Sequence, residues 1–420
     1  MPDSQRHDLR EARRSSGLSF REFASRAGFS ESHLRSVENG HRTATGDVEA
    51  AYTRVLELTA PLPWTQPGAL AAITGAADGG SSVDRRAFLA ASGTALTALA
   101  AQWRSALGTP SAEFLPATRS RQVRPGLAEH IGQRLEHLRH LDDELGSGDL
   151  ARLAQAELAL IARLLRDGSY TTATAARLYS LAAEAGRQAA WASFDQHDHA
   201  TASRLFETSL RASAAADDPF TGAYALSFLA VQCYSTGQAQ QAVSLLETAG
   251  GSVTTMGSPR MTAMLAARSA RAHSKLGRRK TCARLLHEAR TALDQGTRPD
   301  DPDALYWVTY GEIEMIAGSS ALDLGDYGEA IQRFDAAIKA DYRGDDQYPR
   351  SHAIYLARAA QAHLARHDLD AALAQAEHAV RCLGGVDSAR SASSVKDLRA
   401  RLAPHAASPA VRDFLEATRS

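Results

Sequence analysis

The stretch LSFREFASRAGFSESHLRSVENG, residues 18–40, carries the signals of two short helices joined by a tight turn. Ser19 and Ser30 each stand where a side-chain oxygen can cap the first turn of a helix. Gly28 follows the first helix as a residue that tolerates positive φ, and Asn39 stands at the end of the second helix. The pattern therefore predicts two helices separated by only a few residues.

The apolar residues of both helices recur at helical spacing and predict a shared core. A further helix at about 5–15 and another at about 47–58 would complete a unit of about sixty residues, a sensible size for a small domain. The outer side of the second helix carries short polar side chains, which suits entry into the major groove of DNA. The predicted core residues are Phe23, Ala24, Ala27, Leu34 and Val37.

This segment resembles the lambda-repressor-like, Xre-type helix-turn-helix DNA-binding domain. The resemblance implies a structural salt bridge between Arg13 and Glu38. It also implies base-edge contacts and phosphate contacts along the second helix and just beyond it. Base edges would be contacted by Ser30, Glu31, Ser32 and Ser36, and phosphates would be held by Asn39 and His41.

One position departs from that family. Phe20 stands where a glutamine that contacts DNA usually opens the second helix of the domain, so this contact is lost or moves to Arg21. Residues 1–59 carry nine basic and nine acidic groups, and net charge therefore does not decide between a DNA-binding domain and a plain helical bundle. A neutral domain can still direct Arg35 and Arg42 toward phosphates.

Composition sets limits on the rest of the chain. Its 420 residues, 44% of them hydrophobic, are enough for more than one domain with a large core. The net charge of −1 provides no overall field that would steer the protein to DNA or to a membrane. Three isolated cysteines without CxxC spacing indicate neither a zinc site nor a disulfide framework, and a reducing cytoplasm fits this usage.

Residues 61–124 have the Pro, Gly, Ser and Ala content of a linker. Within it, residues 84–90 (DRRAFLA) resemble a twin-arginine export signal, but such signals stand at the N-terminus rather than after a complete domain. The apolar run that follows is shorter than the roughly twenty residues that a membrane span needs. We expect an amphipathic helix at about 84–107 that docks on the C-terminal domain or on a dimer partner.

Residues 125–420 show helical periodicity throughout and resemble tetratricopeptide repeats. Turns are predicted at positions 197, 237, 277, 325 and 367, with spacings of 40 to 48 residues that exceed the usual repeat of about 34. Small residues such as Ala242 and Ala330 would let paired helices approach closely. Stacked pairs would form an α-solenoid whose concave face can bind a peptide, a small molecule or a protein.

Candidate chemical sites are few. The segment DQHDH, residues 195–199, contains metal-ligand types, but it falls at a predicted turn where polar residues are expected. His137 and His140 share one helical face, for which a solvated or core-capping role is the default. The chain has no G-x-S-x-G, P-loop or G-x-G-x-x-G motif. We therefore expect no enzyme activity, no cofactor and no metal.

Together these features predict an all-α protein with a helix-turn-helix domain at 1–60, a linker at 61–124 and a repeat domain at 125–420. The layout resembles actinobacterial and other Gram-positive transcriptional regulators that combine the two domain types. That resemblance implies a cytoplasmic homodimer that binds double-stranded DNA and not membranes. It also implies that the repeats dimerise or sense a peptide, small molecule or protein. The alternative is a repeat-based adaptor whose helix-turn-helix does not bind DNA.

Overall fold

The computed structural model of the protein describes residues 13, 19–39, 41–43, 48, 51–52, 66–77, 85–108, 122–145, 147–298, 301–340, 342, 348–383 and 388–419. Over these residues the chain forms eighteen α-helices and no β-strand, so the all-α prediction is confirmed. The chain divides into two compact units, Met1–Gly68 and Ala69–Ser420.

The first unit contains the two predicted helices, α1 (Phe20–Ala27) and α2 (Glu31–Glu38). Ser19 caps α1 in a capping box: its hydroxyl accepts from the Glu22 amide, and the Glu22 carboxylate accepts from the Ser19 amide. Gly28 ends α1 with φ 75°, a left-handed conformation that costs glycine little. These local signals explain why α1 stops and α2 begins within three residues.

The core of the first unit contains every apolar residue that the sequence pattern assigned to it. Phe23, Leu34 and Val37 are fully buried against a third helical segment. That segment contributes Val48, Ala51 and Tyr52, and the Phe23 and Tyr52 rings lie 4.8 Å apart. Arg13 and the three residues of the third segment are helical. The remaining residues of the predicted helices at 5–15 and 47–58 lie outside the described part of the chain.

The segment predicted as a linker contains two helices, α3 (Gln66–Ala77) and α4 (Arg85–Ala106). Helix α4 matches the predicted helix at 84–107 to within one residue at each end. Helix α3 was not predicted, because its Pro and Gly residues suggested a loop. Its five alanines have the highest helix propensity of any residue, and Pro67 is tolerated in a first helical turn.

The remaining helices follow one another closely along the second unit. They are α5 (Pro125–Leu145), α6 (Ser147–Asp167), α7 (Thr172–Asp195), α8 (His199–Ala215), α9 (Pro219–Ser235), α10 (Ala239–Val253), α11 (Pro259–Lys275), α12 (Arg279–Asp294), α13 (Tyr310–Asp323), α14 (Tyr327–Ala340), α15 (Pro349–Ala365), α16 (Leu369–Leu383), α17 (Ala389–Leu402) and α18 (Pro409–Ala417).

Ten of these helices form five antiparallel hairpins, α7/α8, α9/α10, α11/α12, α13/α14 and α15/α16, and each hairpin packs on the next. All five predicted turns are correct. Each contains a residue in the left-handed conformation, and this residue is glycine in three of the turns. The five residues are His197, Gly237, Gly277, Gly325 and His367.

Small side chains allow the two helices of each hairpin to approach closely. Ala242 and Ala330 are fully buried, as predicted, and Leu245 and Phe334 are buried beside them. At Gly318 an added Cβ would lie 2.8 Å from the Phe334 ring, so only glycine fits there without rearrangement. The helices of the repeat region are therefore held by size complementarity.

Helix α4 docks on the repeat region of its own chain. It contacts α8 and α10, and its Trp103 is completely buried. The Trp103 indole donates to the Ser213 hydroxyl at 2.9 Å, and a Cβ at Gly222 would overlap its ring. In the part of the chain that the structure describes, no helix combines the length and apolarity that a membrane crossing requires.

Candidate functional site

The predicted DNA-contact residues lie along one side of α2 and just beyond its C-terminal end. The structure exposes most of them and half-buries Glu31 and Ser36. The exposed ones are Ser30, Ser32, Arg35, Asn39, His41 and Arg42.

Three serine hydroxyls at this surface are linked to one another and to the helix backbone. Ser30 caps α2 by accepting from the His33 amide, and its Oγ lies 3.2 Å from Ser32 Oγ. Ser36 Oγ donates to the Ser32 carbonyl at 2.8 Å. A hydroxyl that donates in this way keeps its acceptor lone pairs, so Ser36 can still accept a hydrogen bond from a base edge.

Phe20, where the resemblance led us to expect a glutamine, contacts two arginines. Its ring lies under two guanidinium groups, with the Arg13 Cζ 4.2 Å and the Arg35 Cζ 4.5 Å from its centroid. Arg35 also approaches Glu31 at 3.5 Å. Cation–π contacts of this kind hold Arg35 at the outer side of α2. Arg21 is exposed, and transfer of the missing glutamine contact to it stays a prediction.

Arg13 and Glu38 form the ion pair that the resemblance implied. Arg13 donates to both carboxylate oxygens of Glu38, at 2.8 and 3.1 Å, and the Tyr52 hydroxyl donates to Glu38 at 2.8 Å. Burial and the hydrogen bond to Glu38 raise the pKa of Tyr52. The hydrogen bond to Glu38 raises the pKa of Arg13. This network connects the end of α2 to the two flanking helical segments.

The second unit contains a cavity of about 450 Å³. Its wall is formed mainly by the first helix of each hairpin, namely α7, α9, α11, α13 and α15, with additions from α5, α6 and α17. Aromatic rings make up much of this wall. They come from Trp191, Tyr224, Phe228, Tyr234, Tyr306, Trp307, Tyr342, Tyr348 and Tyr355.

Four of the six arginines that line the cavity are ion-paired. Arg139 and Arg187 share Glu184, with closest distances of 3.1 and 2.8 Å. Burial alone would raise the pKa of Glu184, but the two arginines outweigh it and hold that pKa at about 2. This group of charges is thus fixed in its ionised form.

The other two pairs join elements that are far apart in the chain. Arg350 donates to both oxygens of Asp142, at 2.7 and 2.8 Å, and so connects α15 to α5. Arg390 in α17 donates to Asp195 at 3.0 Å. Burial opposes ionisation of Asp195, yet Arg350 and Arg390 lower its pKa. The last hairpin is therefore tied to the first helices of the repeat region.

Asp195 also belongs to the segment that carried metal-ligand types. Its carboxylate is fully buried and accepts from Ser147 Oγ at 2.6 Å as well as from Arg390. Asp198 instead caps α8 by accepting from the Thr201 amide, and His197 occupies the turn itself. These residues have structural roles at the turn of the α7/α8 hairpin.

One other group in the described part of the chain has the ligand types of a metal site. His352, His378 and Cys382 offer ligand atoms that all lie within 4.8 Å of one another. His378 and Cys382 are one turn apart on α16, and His352 faces them from α15. Two imidazoles and a thiolate suit Zn²⁺, although a closed structural site has four ligands.

Sequence reasoning missed the residues that give the cavity its chemistry. Arg268, Glu312 and Arg358 line it and were not singled out. The available signal was the presence of charged residues on the first helices of hairpins that are otherwise rich in Ala and Leu. Arginine is abundant throughout this chain, and that abundance hid the signal.

Comparison with known proteins gives one match. Residues 6–62 match a family model described as a helix-turn-helix domain. A search of curated proteins and a search of solved structures found no match to the chain. The N-terminal unit is a helix-turn-helix domain, followed by a helical, repeat-like region.

Proposed function

We propose that the protein is a sequence-specific DNA-binding transcriptional regulator of the Xre type and not an enzyme. The observation that carries this proposal is the helix-turn-helix match over residues 6–62, together with an α2 whose outer side is polar and exposed. A recognition helix of this kind lies in the major groove with its N-terminal residues at base edges. In this chain those residues are the N-cap Ser30 together with Glu31, Ser32 and Ser36 of α2.

The regulator acts as a homodimer in this proposal. A single helix-turn-helix domain contacts few base pairs, and two copies on adjacent half-sites give the affinity and specificity that a genome requires. The operator is then a rough palindrome with half-sites about one helical turn apart. In the proposal the protein works in the cytoplasm.

The repeat region supplies the dimer contacts or the sensing of a ligand. Its resemblance to tetratricopeptide repeats is supported by the five hairpins, their left-handed turn residues and the buried alanines between paired helices. Ligand binding regulates DNA binding only if the ligand favours one of two arrangements of the dimer. The aromatic cavity is the place in this region that suits such a ligand.

The experiment selects duplexes from a random library with the full-length protein and then measures their affinity by fluorescence anisotropy. We expect an enriched palindromic sequence. Ser32→Ala and Ser36→Ala should each weaken binding to it by about 1–3 kcal/mol, which is roughly 5- to 150-fold, and Arg35→Ala should weaken it by loss of a phosphate contact.

Two matched controls lie in the repeat region. Arg284 has the exposure of Arg35 and a similar pairing with a glutamate one turn away. Ser244 bonds the carbonyl one turn earlier, as Ser36 does. Arg284→Ala and Ser244→Ala should leave DNA affinity unchanged. Failure to enrich any sequence, with the fold intact, would favour the adaptor alternative.

A further inference from the structure

The cavity of the repeat region contains two arginines with no carboxylate partner among the described residues, Arg268 and Arg358. Arg268 is 6% exposed, and its hydrogen bond in this part of the structure is to Ser227 Oγ, at 2.5 Å. Arg358 bonds Ser319 Oγ at 3.0 Å. A serine hydroxyl is neutral, so it orients a guanidinium without balancing its charge.

Nearby carboxylates do not remove this imbalance. Burial raises the pKa of Glu312 to about 7 and outweighs the hydrogen bond that it accepts from the Tyr355 hydroxyl at 2.6 Å and the charges of Arg268 and Arg358, all of which lower that pKa. The carboxylates of Asp142, which lines the cavity, and of Glu184 and Asp195, which do not, are held by the four paired arginines. The cavity therefore has an excess of positive charge that water alone solvates poorly.

Aromatic rings hold Arg268 in a fixed direction. Its Cζ lies 4.1 Å from the centroid of Phe228 and 5.1 Å from that of Trp307. A guanidinium that stacks on a ring face leaves the N–H groups around its own edge available for bidentate hydrogen bonds to an anion. The Trp307 indole is fixed in turn, since it donates to the Tyr224 hydroxyl at 3.0 Å.

We infer that this cavity binds a small organic anion that carries an aromatic ring. Arg268 and Arg358 bind its acidic group, and Phe228 and Trp307 contact its ring. The volume of about 450 Å³ is in the range of small-molecule sites and leaves room for more than an inorganic anion. The inference rests on the proposed function, because it names the class of ligand that the regulator senses.

The test uses two dyes that differ only in the presence of a sulfonate group. The probe is 8-anilinonaphthalene-1-sulfonate, and its matched neutral partner is N-phenyl-1-naphthylamine, which has the same rings without the sulfonate. Both are titrated into the full-length protein and followed by fluorescence. We expect one sulfonate dye per chain, bound at least about tenfold more tightly than the neutral dye, as a charged hydrogen bond predicts.

Substitutions assign the charge effect to the two arginines. Arg268→Met keeps the unbranched stem and removes the charge, and it should weaken sulfonate-dye binding by about 10- to 100-fold while changing neutral-dye binding less than about threefold. Arg358→Met provides an independent test if the first variant does not fold. Arg284→Met, at an exposed position of α12, should leave the affinity for both dyes unchanged.

Three results would overturn the inference: equal affinity for the two dyes, binding of many dyes per chain, or unchanged sulfonate-dye affinity in both cavity variants. DNA binding is measured on the same samples with the selected duplex. Retained DNA binding with one of those three results would reject this ligand class and leave the regulator proposal standing. Dye binding as expected, in a protein without sequence-selective DNA binding, would reject the regulator proposal and leave the ligand class standing.

Discussion

Replacement of Glu38 by alanine should loosen the helix-turn-helix domain more than any change at its outer surface. The Glu38 carboxylate is 4% exposed and accepts two hydrogen bonds from Arg13 and one from Tyr52. The substitution removes all three. The Arg13 guanidinium, which is 13% exposed, and the buried Tyr52 hydroxyl then both lose this acceptor.

The magnitude follows from these contacts. Loss of one member of a buried ion pair costs about 3–5 kcal/mol, and the lower end applies because Arg13 keeps some exposure and its contact with the Phe20 ring. The Tyr52 hydroxyl adds about 1 kcal/mol. A total of about 4 kcal/mol corresponds to amide exchange that is roughly 1000-fold faster, since each 1.4 kcal/mol is a factor of about ten.

The assay is hydrogen–deuterium exchange of the full-length protein, followed by mass spectrometry in peptides that cover residues 19–39. Glu31→Ala is the matched control, because Glu31 pairs with Arg35 at 3.5 Å while 40% exposed. It should accelerate exchange only about two- to fivefold, through the surface pair and the helix dipole. The exchange rate of Tyr52→Phe should lie between those of Glu38→Ala and Glu31→Ala. If Glu38→Ala exchanges no faster than Glu31→Ala, the network does not stabilise the domain.

Three more predictions concern separate features. Arg42→Ala should weaken binding to all duplexes alike and reduce the salt slope by about one, as measured by anisotropy at several salt concentrations; an effect confined to the selected sequence would contradict the phosphate role. Gly222→Ala should destabilise the repeat region by about 1–3 kcal/mol in thermal unfolding because the new Cβ overlaps Trp103, whereas Gly250→Ala, which meets no atom within 4 Å, should not destabilise it. Burial raises the pKa of Glu312 to about 7, whereas the same carboxyl has a pKa of 4.5 in the unfolded chain. The folded state therefore binds this proton more tightly, and the free energy of unfolding of the wild type falls as pH rises between those two values. The unfolding temperature of Glu312→Gln relative to wild type should therefore increase from pH 5 to pH 8, and a difference that does not vary with pH would exclude the shift.

Much of the helical layout was readable in the sequence because turn signals are local. Leu276-Gly277 and Leu324-Gly325 predicted their turns, since a left-handed residue after a helix is most often glycine. His197 and His367 adopt the same conformation without being glycine, and there the surrounding repeat frame supplied the prediction. Helix α3 was missed because its Pro and Gly residues outweighed its alanines in the interpretation.

The cavity could not be predicted, because its parts meet only after the hairpins stack. Arg350 and Asp142 are 208 residues apart in the chain, and nothing local to either residue indicates the other. The same holds for Arg268, whose neighbours Phe228 and Trp307 come from outside its own helix. The outer surface of α2 is different: its residues lie close together in the sequence, so the periodicity of one helix was enough to predict that Ser32 and Arg35 face outward.

The most direct test of DNA recognition by α2 is the ratio of affinities of the full-length protein for its selected palindrome and for a shuffled duplex of equal length and composition. Both are measured by anisotropy at the same physiological salt concentration. The account predicts a ratio of at least about 1000, the lower bound for specific protein–DNA recognition. A ratio near one would contradict sequence-specific binding and remove the basis for a regulator.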